Sequence, residues 1–270
     1  MDLLHLPYPS RRSPVVAKHG VTASSQPLAA QAGLEIMKAG GTAVDAIVAM
    51  GTMLTVVEPT SNGIGGDAFA IVWDGSKLQG YNGSGRAPAG LTPDVVRAAG
   101  HRTMPQRGWL SVTVPGTPRT WADLHQRYGK LDFQQVLAPA IRTAREGYAV
   151  SPVISRQWAG GVRVQDRSKG PEFEHWYEIY ARSGKAPAAG DVWGSPLHAE
   201  TLERIAVSHS DDFYKGELAT RIASFAKETG GVMTAADLAA HGGRWVDPIK
   251  TSHGGYEVWE IPPNGQGRQR

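Results

Sequence analysis

Residues 61–73 run "SNGIGGDAFAIVW", and the order of elements around this glycine cluster decides which fold the chain can adopt. Gly63-Ile64-Gly65-Gly66-Asp67-Ala68 satisfies the loose G-x-G-x-x-G/A pattern of a dinucleotide-binding turn. Such a turn needs a strand before it and a helix after it, so that pyrophosphate meets the helix N-terminus. Here a helical pattern precedes and a strand pattern follows, which reverses the required order. No Lys-Ser/Thr pair follows the last glycine, so a P-loop is excluded as well. What remains is a sharp helix-to-strand turn whose glycines supply positive φ and close backbone approach. Glu58, Ser61, Asn62 and Asp67 are its polar company, which places Gly63, Gly65, Gly66 and Asp67 at the rim of a pocket.

Upstream, two helices are punctuated in the sequence. Ser25 is expected to cap the first, with Pro27 in its first turn and Gly40-Gly41 as its stop. Thr42 and Asp45 form a capping-box variant for the second, in which Val44, Ile47, Val48, Gly51, Leu54 and Thr55 make a buried face. Downstream, "FAIVW", "DGS" and "KLQGY" read as strand, turn and strand. "GWLSVTVPGT" predicts another strand, and Thr117 is placed to cap a helix running to Tyr128. "DFQQVLAPAIRTAREG" is helical in pattern, and Pro139 inside it predicts a kink or boundary. From Ser151 to Ala199 the pattern loosens around Trp158, Trp176 and Trp193, which predicts irregular structure with short helices. Helices return over 200–240, one of them capped by Thr234 with Asp237 three residues on, and "YEVWEI" alternates as a strand.

Composition bounds the chemistry. With 270 residues and 41% hydrophobic content the chain can bury a sizeable core, and a mean hydropathy of −0.30 leaves no apolar run for a membrane span. The absence of cysteine removes disulfides, thiolate nucleophiles and cysteine-ligated metals together. A pI near 9.1 accompanies a net charge of only +3, an ordinary solvated surface and not a nucleic-acid footprint. The opening "MDLLHLPYPSRRSP" is unlike a secretory leader, so a cytoplasmic or already processed form is expected. His19, His101, His125 and His241 show no metal-ligand spacing and read as structural or surface residues. Neither a metal nor a cofactor is expected.

Beyond these local readings, an ordered series of segments resembles the gamma-glutamyltransferase family. "GVTASSQPLAAQAGLEIMKAGGTAVDAIVAMGTMLTVVEPTSNGIGGDAFAIVW" is similar to the family's opening run. "VPGTPRTWADLHQRYGKLDFQQVLAPAIRTAREGYAVSP", "DFYKGELATRIASFAKETGGVMTAADLAAH" and "YEVWEIPPNGQG" follow in the family's order, so the likeness runs from about Lys18 to Gly267. The resemblance implies an α/β (α+β) fold of the Ntn-hydrolase type, an αββα four-layer sandwich that this chain does not complete alone. Residues 1–17 would be an N-terminal arm and 18–270 the large-subunit portion, truncated at its C-terminus.

The resemblance also implies a chemistry. Family members cut themselves, and the newly exposed threonine attacks an amide with its hydroxyl while its own α-amine serves as base. The γ-glutamyl group of a donor, usually glutathione, passes through an acyl-enzyme to water or an amino acid, with backbone N–H groups on the oxyanion. The family's threonine-rich motif is absent from this sequence, so no catalytic residue is assigned and a fragment lacking the nucleophile is expected. Its partners would be the small-subunit segment, a small γ-glutamyl or acyl-amide substrate, and a second copy of the chain, since an unpaired sheet edge favours association.

Substrate recognition falls on "YNGSGRAP", residues 81–88. In the family's glutamyl-specific members an arginine three residues before "AP" holds the substrate α-carboxylate. Ser84 occupies that spacing here, and Arg86 lies two residues later. Arg86 either reaches the same pocket by another path or pairs with a surface carboxylate, and the departure admits a related acylase or amidohydrolase substrate. The same stretch is the only one resembling a G-x-S-x-G hydrolase elbow, and no clear helix follows its serine. A non-catalytic binding or scaffolding protein with the family fold is the alternative expectation.

Overall fold

The computed structural model of the chain describes residues 14–166 and 168–265. Most of the N-terminal arm expected over 1–17 lies outside the described residues, as do the last five residues.

Helix α1 (Pro27–Lys38) begins at Gln26, whose side chain accepts a hydrogen bond from Leu28 N at 2.5 Å. Ser25, the expected cap, instead donates to Glu58 Oε2 at 2.5 Å, tying the start of α1 to the residue that ends the next helix. Helix α2 (Ala43–Val57) carries the predicted capping box: Asp45 N donates to Thr42 Oγ1 at 3.1 Å, and Thr42 N donates to Asp45 Oδ2 at 2.8 Å. It is buried over most of its circumference rather than on one face, with Ile47 the large exposed exception.

Strand β1 (Phe69–Trp73) pairs antiparallel with β2 (Leu78–Asn82). The turn between them is fixed by Asp74, whose Oδ1 accepts from Ser76 N and Lys77 N, and by Gly75 at φ +97°. Backbone donors from Lys77 and Ser76 hold the Asp74 carboxyl at about 2, well below the ordinary carboxylate range. The order is α2, glycine turn, β1, with the helix before the strand, as the sequence predicts.

Helix α3 (Pro93–Ala98) is short and surface-lying. Helix α4 (Thr117–Tyr128) starts one residue earlier than a Thr117 cap would allow, because its cap is Gly116. The amides of Gly116 and Thr117 donate to the Gly66 carbonyl at 2.9 and 3.0 Å, so the glycine turn satisfies the helix N-terminus from across the fold. The strand expected before it is a 3₁₀ turn at Trp109–Ser111 and an extended run without a ladder.

Helix α5 (Phe133–Glu146) continues through Pro139. Val136, Leu137, Pro139 and Ala140 are all buried, so packing outweighs the one hydrogen bond that the proline removes. Strand β3 (Tyr148–Ala149) precedes α6 (Pro152–Gln165), a fourteen-residue helix where short pieces were expected. Ser151 caps it and Pro152 takes its first turn, a start signal that the surrounding glycines and tryptophans obscure in sequence. Helix α7 (Glu174–Tyr180) and strand β4 (Val192–Trp193) close an aromatic cluster. Within it Trp158 Nε1 donates to Tyr180 O at 2.6 Å, and the Tyr180 and Trp193 rings stack at 5.9 Å.

Helices α8 (Pro196–Ser208), α9 (Asp211–Lys215), α10 (Glu217–Glu228) and α11 (Ala235–Ala239) follow, the last with the predicted Thr234–Asp237 capping box. Strand β5 (Arg244–Val246) adds to β2 antiparallel, giving a sheet ordered β1-β2-β5, and β6 (Ile249–His253) forms a separate hairpin with β7 (Tyr256–Glu260). The core runs from α2 through α1, α5 and α8 to one face of the sheet, where Tyr81 is fully buried. Among the described residues no helix is long and apolar enough to cross a membrane.

His198, at the start of α8, is half-buried against α2. Thr55 Oγ1 donates to Thr52 O at 2.7 Å and lies 3.0 Å from His198 Nε2, so Nε2 carries the proton and donates to Thr55. Burial lowers the His198 pKa from 6.5 to about 4. Between those values the unfolded chain binds the extra proton and the folded chain does not, so stability rises with pH across the window. Acidification from pH 7 to pH 4 is expected to remove on the order of 3 kcal/mol through this residue. Urea unfolding midpoints of the native chain and His198→Gln, compared at both pH values, check this: the variant should lose less on acidification.

Candidate functional site

A cleft of about 580 Å³ opens off one end of the three-stranded sheet, where β2 leaves at Asn82 and β5 enters at Arg244. Its first wall is the segment leaving β2. Asn82 is buried, and its Oδ1 accepts from Ser84 N at 3.0 Å while its Nδ2 donates to Asn264 Oδ1 at 2.9 Å. Ser84 Oγ stands 2.7 Å from Asn82 Oδ1 and 3.0 Å from Asn264 Oδ1, so its single proton serves within this polar floor.

The segment is pinned at three further backbone points. Gly85 N donates to Asp67 Oδ1 at 3.0 Å, Val114 N donates to Arg86 O at 2.9 Å, and Ala89 N donates to Asp237 Oδ1 at 2.8 Å. The pinning brings two backbones closer than side chains permit. A Cβ on Gly83 would strike Thr120 Oγ1, one on Gly85 would strike the Val114 carbonyl, and one on Gly116 would strike the Gly83 carbonyl. These are the glycines that close approach requires.

The glycine turn that opens the argument plays a different part. Gly63, Gly65 and Gly66 are absent from the positive-φ glycines, a Cβ on Gly63 or Gly65 would meet nothing within 4 Å, and on Gly66 only the Gly63 carbonyl is tight, at 3.3 Å. The expectation that positive φ and close packing demand these glycines is therefore corrected. The turn is exposed and does not line the cleft. It acts from behind, through the Gly66 carbonyl on α4 and the Asp67 carboxylate on Gly85.

Both residues expected to bind substrate, Ser84 and Arg86, line the cleft together. Arg86 is exposed in it, and its guanidinium makes no ion pair with the described residues, so it is not spent on a surface carboxylate. The opposite wall carries Asp237, expected only as a helix-capping partner, His241, expected as structural or surface, and Arg244, which sequence reasoning passed over. Asp237 is occupied: Oδ1 by Ala89 N, and Oδ2 by Thr234 N at 2.8 Å and Thr234 Oγ1 at 2.6 Å. Burial opposes its ionisation, yet these donors outweigh that and hold its carboxyl below the ordinary range. The His241 ring stacks on Tyr214 at 5.2 Å, and its Nε2 is buried without a partner. Burial first, then the Arg119 charge, lowers its pKa and favours neutral imidazole. Among the described residues no cluster of His, Asp or Glu is arranged to hold a metal ion.

Helices pack around an antiparallel sheet, with a cleft lined by Arg86 and Arg244 where the sheet ends. The gamma-glutamyltranspeptidase profile matches residues 29–268, and the chain belongs to that family. It is 36% identical to the glutathione hydrolase-like YwrD proenzyme of Bacillus subtilis strain 168 over 256 residues, covering 94% of this chain and 47% of that protein. Among solved structures it matches a cephalosporin acylase from Bacillus halodurans at 52% identity and a TM-score of 0.92, over 98% of this chain and 50% of that one. It matches the Helicobacter pylori gamma-glutamyltranspeptidase at 29% identity and 0.83, over 93% and 72%. The fold is thus the family's Ntn-hydrolase type, and the chain spans about half the length of the first two relatives.

Replacing Gly116 by alanine places a methyl group inside the Gly83 carbonyl; the 116 backbone cannot retreat without losing its bonds to Gly66 O, nor Gly83 without losing its bond to Ala68 O. The variant is expected to lose about 3 kcal/mol or more, whereas Gly65→Ala should change stability by less than about 0.5 kcal/mol. Thermal melts of the two variants side by side decide it.

Proposed function

We propose that the chain is the substrate-holding portion of an amide hydrolase or acyl transferase, whose donor presents a carboxylate to Arg86. The single observation carrying this reading is a guanidinium with no ion pair among the described residues, in a cleft whose floor of amide and hydroxyl groups is fixed by Asn82, Ser84 and Asn264. A planar fork of donors suits a carboxylate, which it can bind through two parallel hydrogen bonds. The donor is γ-glutamyl, as in glutathione, or a related acyl amide. Ser84 favours the second: its hydroxyl is bound to Asn82 and Asn264, so a neutral group stands where a glutamyl-specific site would have its charge. The likeness to a cephalosporin acylase supports the same choice.

On this reading the attacking threonine comes from a segment outside the chain, its hydroxyl forming the acyl-enzyme and its α-amine taking the proton. The place for that segment is the outer face of the sheet. Phe69, Ile71 and Trp73 all project from β1 and stay 45%, 43% and 63% exposed, and among the described residues β1 is an edge strand with a free row of backbone groups.

The reading is tested with a chromogenic γ-glutamyl anilide and a glutaryl anilide, each incubated with the chain alone and with a threonine-led family segment supplied. Turnover is expected only with the segment, and Arg86→Gln should lower kcat/KM about tenfold or more through lost carboxylate binding. Turnover by the chain alone would overturn the assignment of the nucleophile. Binding of both compounds without turnover in either mixture would favour a scaffold that only holds acidic ligands.

A further inference from the structure

Every asparagine of the chain is followed by glycine: Asn62-Gly63, Asn82-Gly83 and Asn264-Gly265. In such a pair the asparagine readily loses its side-chain ammonia, because a glycine amide approaches the asparagine Cγ with no Cβ in the way. The structure sorts the three by whether that approach is open. Asn82 is buried with both ends of its side chain bonded, and Gly83 N donates to Ala68 O at 3.0 Å. The backbone there is closed in, since even a Cβ on Gly83 would strike Thr120 Oγ1. Asn264 is the reverse. It is exposed, and neither its Nδ2 nor the Gly265 amide has a hydrogen-bond partner among the described residues. A Cβ on Gly265 would meet nothing within 4 Å.

We propose that Asn264 is a deamidation site, and that its conversion to a carboxylate lowers the affinity of the cleft for anions. The Gly265 amide gives its proton to solvent base and its nitrogen attacks Asn264 Cγ. The Cγ–Nδ2 bond breaks, ammonia leaves, and a succinimide ring closes. Water then opens the ring at either carbonyl, giving aspartate or isoaspartate. No oxidant or reductant takes part, and either product bears one new negative charge.

The cleft floor suits the aspartate product. Asn264 Oδ1 faces Asn82 Nδ2 at 2.9 Å and Ser84 Oγ at 3.0 Å, both able to donate, so a carboxylate in the same place keeps these contacts and strengthens them. Its charge enters the lining shared by Arg86 and Arg244, neither of which makes an ion pair among the described residues. The loss of anion affinity rests on the carboxylate-binding reading of Arg86 given above; the conversion itself does not. Asn62-Gly63 provides the contrast. The Gly63 amide has no partner among the described residues, but the pair stands on the exposed turn outside the cleft, so its conversion brings no charge to the lining.

The full chain is aged in mildly alkaline buffer, folded and in urea, and peptide maps read by mass spectrometry follow each asparagine. In urea all three are expected to convert at similar rates. In the folded chain Asn82 should stay intact, Asn264 should convert within about tenfold of its urea rate, and Gly265→Ala should slow Asn264 by about tenfold or more. An Asn264 as inert as Asn82 in the folded chain overturns the site. Calorimetric titration with butyrate reads the charge effect. Asn264→Asp should weaken butyrate binding about threefold, the scale of one charge acting across a solvated cleft, and added salt should shrink the difference. Asn62→Asp should leave binding unchanged. Native affinity in Asn264→Asp, or an equal loss in Asn62→Asp, overturns the charge effect. If Arg86→Gln leaves butyrate binding untouched, the Arg86 reading fails, and the deamidation site then stands or falls on the peptide maps. Melting curves confirm that each variant is folded.

Discussion

Two stretches of backbone, 83–85 and 114–116, pass each other with no room for a side chain, and the rest of the site is arranged around that passage. The carbonyls of Gly83 and Val114 lie where Cβ atoms of Gly116 and Gly85 would be, so only glycine admits the approach. Hydrogen bonds then lock it: Val114 N to Arg86 O on one side, Gly116 N and Thr117 N to Gly66 O on the other. The last pair also satisfies the N-terminus of α4, so the helix start, the glycine turn and the cleft wall are one mechanical unit. Arg86 projects from a backbone that cannot move without breaking all three.

The same economy governs charge. Asp67 and Asp237 are the carboxylates nearest this wall, and both are engaged by backbone amides, of Gly85 and Ala89 respectively. Each fixes the chain from behind and leaves its positive neighbours unneutralised. The cleft therefore keeps a net attraction for anions even though the chain as a whole carries only +3. Carboxylates used as scaffolding, with guanidiniums that form no ion pair among the described residues, are the electrostatic basis for proposing that the cleft binds a carboxylate.

Behind the site, α2 transmits position from the core. Asp45 is fully buried, closes the capping box with Thr42, and accepts from Lys130 N and Leu131 N, which holds the α4–α5 connection against the start of α2. Tyr81 of β2 is buried against the same layer, donating to Asp123 of α4 and meeting Trp245 of β5 edge-on at 4.9 Å. The helical layer thus fixes both strands from whose ends the two arginines arise. On its outer face the sheet shows the opposite character, with the apolar side chains of β1 half in solvent.

Much of this was legible without coordinates. The capping residues of α2 and α11, the β1–β2 hairpin and the helix-before-strand order around Gly63 follow from local rules that act over three to five residues. Those rules excluded a dinucleotide site, and the order of segments pointed to the family. Local rules failed where distant partners decided. Gly63 and Gly65 look decisive in sequence but face open space, while Gly83, Gly85 and Gly116 look unremarkable there and carry the close contact. Gly116 caps α4 through a carbonyl fifty residues upstream, and Arg244 is indistinguishable in sequence from any exposed arginine until the β2–β5 register brings it beside Asn82. The sequence by itself determined most element types and pointed to the family, because capping, turn and periodicity signals are written in neighbouring residues. Only the tertiary structure decided which charges share a cleft, because that depends on strand register and backbone approach between segments far apart in the chain.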